Sequence, residues 1–143
     1  MIERIKHLDK ELALVIRNSF KKEGIEFFTP DDYSQQIGYM NRPSGYIIQP
    51  HVHKPVQREV HYTKEVLFIK SGKVRVDFYS ESQEYLESII LERGDVILLA
   101  YGGHGFEMLE PTEMIEVKQG PYAGECDKVR FKNIDSHKLK IRK

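Results

Sequence analysis

Two histidines one residue apart, His51 and His53, stand at the end of an apolar run that reads as a strand. Side chains two apart on a strand share a face, so both imidazoles could reach one metal ion. Imidazole suits Zn, Cu, Fe and Ni, and a carboxylate would complete a facial set of donors. Glu65 opens the next apolar run, and a hairpin joining the two runs would set its carboxylate beside the rings. His104 follows Tyr101-Gly102-Gly103, where a glycine pair lets the backbone turn into another strand. Singly, each of these residues reads as an ordinary surface or hydrogen-bonded group; together they form a candidate metal-donor set.

The elements that must position them are mostly short. Leu8, Leu12, Val15, Ile16 and Phe20 follow helical spacing, with Asp9 and Glu11 near the start, Lys21 and Lys22 near the end, and Gly24 as a C-cap. This predicts one amphipathic helix from Leu8 to Glu23, within an N-terminal segment 1–24. From there the texture is strand-like: Ile25–Phe28, Gln35–Met40, Gly45–His51, Val66–Lys70, Lys73–Tyr79, Tyr85–Leu91, Asp95–Leu99, Gly105–Leu109 and Met114–Lys118. Turn residues separate the runs, as in Thr29-Pro30-Asp31-Asp32, Ser71-Gly72 and Arg93-Gly94-Asp95. Lys73 to Phe78 alternates polar and apolar, as a half-buried strand does. Short strands at near-regular spacing predict a mainly β sandwich or barrel over 25–131. The stretch 132–143 is basic and reads as a peripheral tail.

Composition excludes several classes. The 143 residues carry 22 Lys+Arg against 22 Asp+Glu, a net charge of zero, so binding nucleic acid by bulk attraction is not expected. A single cysteine, Cys126, cannot form an internal disulfide. The longest apolar stretches, Leu12–Ile16 and Val96–Tyr101, fall far short of the roughly 20 residues a membrane helix needs. The expectation is a soluble, cytoplasmic, single-domain protein without a membrane anchor.

The run from Gly45 through His51 and His53, followed by Glu65 to Gly72, resembles the first motif of the cupin superfamily. The run from Gly94 to His104 resembles the second, whose histidine is the remaining ligand. The resemblance implies a jelly-roll β-barrel, a divalent metal held by His51, His53, Glu65 and His104, and a homodimer. Fe, Mn, Ni, Zn and Co are all compatible with such a set. The chain departs from the family pattern in several places. Eleven residues, Lys54 to Lys64, separate His53 from Glu65, where the family usually has three or four; Ala100 and Met108 replace the usual Pro and Asn. The second motif is also one residue short before its histidine. The insertion leaves two registers open, because His61 stands four residues before Glu65. In the alternative register Glu59 and His61 replace His51 and His53; in the preferred one His61 is an extra ligand or an acid/base group.

Three neutral imidazoles and one carboxylate around a divalent ion leave one net positive charge, and an octahedral ion keeps two open positions. Such a centre favours an anionic or hydroxyl-bearing small molecule. Strand alternation predicts Gln49 beside the ligands, Leu67 and Ile69 on the face of Glu65, and Phe106 and Met108 on that of His104. Tyr101 and Arg58 are candidate ligand contacts from loops, and Lys118, Tyr122 and Arg130 are candidate anion contacts. The segment from Glu116 to Phe131 also resembles the C-terminal part of small cupins that accompany surface-polysaccharide biosynthesis. Three functions follow: a metal-dependent enzyme of dioxygenase, isomerase or lyase type on a small, carbohydrate-related metabolite; a non-catalytic metal- or sugar-binding sensor; or a metal-free sugar-nucleotide epimerase or isomerase.

Overall fold

A computed structural model describes all residues, Met1–Lys143. The chain divides into two compact units, one made of Met1–Phe20 and Tyr62–Lys143, the other of Lys21–His61.

The first unit begins with a hairpin where the sequence predicted a helix. Strands β1 (Ile2–His7) and β2 (Lys10–Ile16) pair antiparallel around a turn at Leu8, whose φ is 55°. The error lies in the period. Leu12, Val15 and Ile16 fit helical spacing, but Ala13 and Leu14 between them are equally buried. An uninterrupted apolar run is what a strand covered on both faces requires. Its sheet partners on both sides decide the matter: β2 lies between β1 and β8 (Val96–Leu99).

Beyond β8 the sheet continues through β5 (Glu65–Ser71) to β10 (Glu113–Lys118). Its order, β1-β2-β8-β5-β10, is antiparallel throughout. A second, three-stranded antiparallel sheet has β6 (Lys73–Tyr79) between β7 (Tyr85–Glu92) and β9 (Gly103–Met108). The core lies between these sheets. Ala13, Val15, Leu67, Ile69, Ile97 and Leu99 from the first meet Val74, Val76, Phe78, Ile89 and Leu91 from the second. The architecture is mainly β, two packed sheets that end at β1 and β10 and at β7 and β9, and the sheets do not close into the expected jelly-roll barrel.

Two polar networks secure this unit. Asp95, 5% exposed, accepts hydrogen bonds from Arg17 Nη1 (2.9 Å), Asn18 N (2.8 Å) and Glu92 N (2.9 Å). Arg17 also contacts Glu3, and both carboxylates outweigh burial in holding its pKa above the ordinary value. Within β6 and β7, buried Asp77 accepts from Arg75 Nε (2.7 Å) and Ser88 Oγ (2.5 Å). The stretch 132–143, expected to be peripheral, joins this region: Ser88 N donates to Lys140 O, Arg142 N donates to Ser88 O, and Arg142 pairs with Glu87.

The second unit holds one hairpin, β3 (Gly24–Phe27) with β4 (Gly38–Asn41). The predicted strand Gly45–His51 does not form; residues 42–64 contain no regular element. Pro43, Pro50 and Pro55 remove backbone donors there, and no strand pairs with the run. A strand exists only through its pairing, so an apolar run without a partner stays irregular.

Candidate functional site

Glu65 is the first residue of β5, and its side chain continues the inward face of Leu67 and Ile69, both buried. His104 is the second residue of β9, opposite Phe78 of the core. The two sheets therefore aim a carboxylate and an imidazole at each other. Glu65 Oε2 and His104 Nε2 are 3.4 Å apart, with side-chain exposures of 12% and 27%. The glycine pair does what the sequence suggested. Gly102 takes φ 78°, a conformation that suits glycine, and β9 begins at Gly103.

A third group joins them from β10. Lys118 is the direct register partner of Glu65, and its Nζ lies 3.9 Å from Glu65 Oε1. The interaction with His104 holds the Glu65 carboxyl below the usual carboxylate range against the opposing effect of burial, and Lys118 and Lys128 add to the shift. Phe106 walls the imidazole, with ring centroids 5.6 Å apart. Phe106 and Met108 are exposed on the open edge strand β9 and do not line an enclosed pocket. The predicted common face of His104, Phe106 and Met108 agrees with their partners Phe78, Val76 and Val74, all core residues.

The remaining predicted residues take other places. His51 and His53 are exposed and not on a strand, so alternation does not orient them. Their rings nevertheless meet edge to face, with centroids 5.3 Å apart. The His51 Nδ1 lies 2.9 Å from the Gln49 carbonyl oxygen. Donation from Nδ1 to that oxygen leaves Nε2 with a free lone pair, the usual way a backbone carbonyl prepares a histidine ligand. Gln49 contributes through its backbone; its side chain is exposed and does not point into a barrel. Arg58 is exposed, and His61 contacts exposed Glu59 at 3.5 Å, so the two donors of the alternative register face each other.

Tyr101 is engaged locally. Its hydroxyl donates to Glu81, its ring meets Tyr62 edge to face at 5.4 Å, and Lys10 Nζ sits 4.5 Å above it. The hydrogen bond to Glu81 pushes the phenol up to about 12. Tyr122 and Arg130 are exposed, and Arg130 pairs with Glu125 at 3.1 Å.

The donor types predicted from sequence suit a divalent transition metal, three imidazoles and a carboxylate being ordinary ligands. The structure gathers Glu65 with His104, and no group of three or more His, Cys, Asp or Glu side chains that could hold a metal ion is assembled.

No family model, curated protein or solved structure matches this chain. Its function must be argued from its own residues. Sequence reasoning missed Lys128, whose charge acts on Glu65, and the Asp127 contact to Thr63 at 2.9 Å. Neither has a local signal, because both depend on how the segment after β10 returns to the start of β5. A shallow cavity bounded by Tyr79, Tyr85, Lys132 and Lys138 contains none of the predicted site residues. No helix is long and apolar enough to cross a membrane.

Proposed function

We propose that this chain is a metal-binding protein of the cupin type that binds and transforms a small polar, carbohydrate-related metabolite. The observation that carries the reading is the convergence of Glu65 and His104. They come from different sheets and meet half-buried beside Lys118 and Phe106. These are the two predicted donors whose local elements formed as expected. The sequence motif adds His51 and His53 as the other two donors; their rings are adjacent, and the Gln49 carbonyl sets the tautomer of His51. Bound there, a divalent metal would supply Lewis acidity and open coordination positions. The chain's own contribution is a carboxylate kept ionised, a neighbouring cation for an anionic group, and an apolar wall.

The test is elemental analysis of untagged protein. Near one equivalent of Fe, Mn, Ni, Zn or Co per chain is expected, and metal-free protein after reconstitution rejects the reading. A homodimer belongs to the same proposal. Phe68, Ile115 and Val117 expose apolar side chains on one face of β5 and β10, next to an open sheet edge. Sedimentation should give twice the chain mass.

One observation favours a second reading. Lys118 at 3.9 Å competes electrostatically with a metal ion for Glu65. A Glu-oriented histidine beside an ammonium is also an acid–base pair, with His104 exchanging the proton and Glu65 holding its ring. Ligand turnover that persists after chelation, in protein without metal, selects this reading over the first.

A further inference from the structure

The side chain of Lys118 is mostly covered, with 29% exposure, yet its ammonium is poorly matched. Its one carboxylate neighbour is Glu65, at 3.9 Å, beyond hydrogen-bond reach. Glu65 turns its other oxygen to His104. An ammonium has three donors, and ordering a lysine stem costs rotamer entropy that a long-range contact does not return. Lys128 adds positive potential at the same carboxylate. Glu116, the acidic residue two positions back on β10, is exposed.

We propose that Lys118 is the anion-recognition residue of this site and that the substrate is a small hydroxy carboxylate. The inference rests on the Glu65–His104 pair being a small-molecule site and names what that site selects. Lys118 and His104 address opposite oxygens of one carboxylate, so the ammonium and the imidazole flank the same group. A substrate carboxylate on Lys118 then places its own hydroxyl at His104 and Glu65, where a proton can be exchanged. A neutral sugar has nothing to offer the ammonium beyond weak hydroxyl contacts. An extended nucleotide diphosphate would need a cationic cluster beyond Lys118 and Lys128, and Arg130 in the following segment is paired with Glu125.

The experiment follows the His104 and Lys118 side-chain resonances by NMR while lactate is added, with propane-1,2-diol as the neutral match. Lactate should give a saturable shift of both residues, and the diol should give none. Lys118→Met should weaken lactate by about tenfold or more, the order expected for one lost charge-assisted contact. Lys118→Arg should keep most of the affinity. Metal content, measured on the same samples, should be equal in wild type and Lys118→Met. Unchanged lactate affinity in Lys118→Met, equal binding of the diol, or no saturable lactate response overturns the inference. Metal-free wild type that still binds lactate through Lys118 overturns the metal reading alone and leaves this one standing.

Discussion

Glu65 and His104 face each other at 3.4 Å across the two sheets of a sandwich, one from the start of β5 and one from the start of β9. Neither residue is near the other in sequence, and each stands where a strand emerges from a loop. Side chains at such strand ends are held by the sheet yet reachable from solvent, the usual setting for a binding site.

Metal affinity should report this pair directly. Glu65→Gln, His104→Ala, His51→Ala and His53→Ala should each weaken metal binding by more than about tenfold. His61→Ala should leave it unchanged, since the His61 ring is turned to Glu59. Loss of metal in His61→Ala alone, read by elemental analysis, would move the ligand set to the alternative register.

Tyr101 supplies a pH signature. With Glu81 accepting its proton bond, its phenol titrates at about 12, above the ordinary 10.0. A raised folded-state pKa stabilises the fold below the unfolded value, and that contribution is lost as pH rises through about 12. Tyrosinate absorbance should therefore show one of the eight tyrosines lagging behind unperturbed phenols. Glu81→Gln should bring it back toward 10.0. A Tyr101→Phe protein with an unaltered titration curve would contradict the assignment.

Asp95 should matter for stability, not chemistry. Its carboxylate satisfies Arg17 and the backbone N–H groups of Asn18 and Glu92. Asp95→Ala leaves all three without that partner and should cost about 2–4 kcal/mol in denaturant unfolding. A loss below about 0.5 kcal/mol, the scale of ordinary surface changes, would show that water replaces the carboxylate without cost.

Two glycines with positive φ, Gly45 and Gly72, should behave differently. Gly72 has φ +91°, and a Cβ there would lie 2.2 Å from Pro111 O and 2.7 Å from Thr112 Cα. Gly72→Ala should cost about 2 kcal/mol or more, because backbone must move as well as strain. Gly45 has φ +85° with open space around it, so Gly45→Ala should cost only about 1 kcal/mol of left-handed strain. Equal thermal midpoints for the two variants would contradict the steric argument.

The legible part of this fold was its punctuation and alternation. Lys73–Tyr79 forms over the predicted residues, and β5 and β7 to β10 start and end within two residues of prediction. Alternating burial and turn residues are local signals, so they survive without knowledge of partners. The N-terminal run misled because Leu12 to Ile16 is apolar without a gap, and periodicity cannot separate a helix from a strand buried on both sides. The run Gly45–His51 misled for the opposite reason. It has strand composition, but Pro50 interrupts it and nothing pairs with it.

By itself, the sequence determined the strand-rich character, the turn positions, and the residue types a metal or acid–base site needs. Tertiary structure alone decided the sheet order, the open edges, and the meeting of Glu65 with His104 and Lys118. The physical reason is that strand pairing is non-local. Lys118 stands opposite Glu65 because β10 returns antiparallel to β5 in one register, and a slip of one residue would turn its ammonium to the other face.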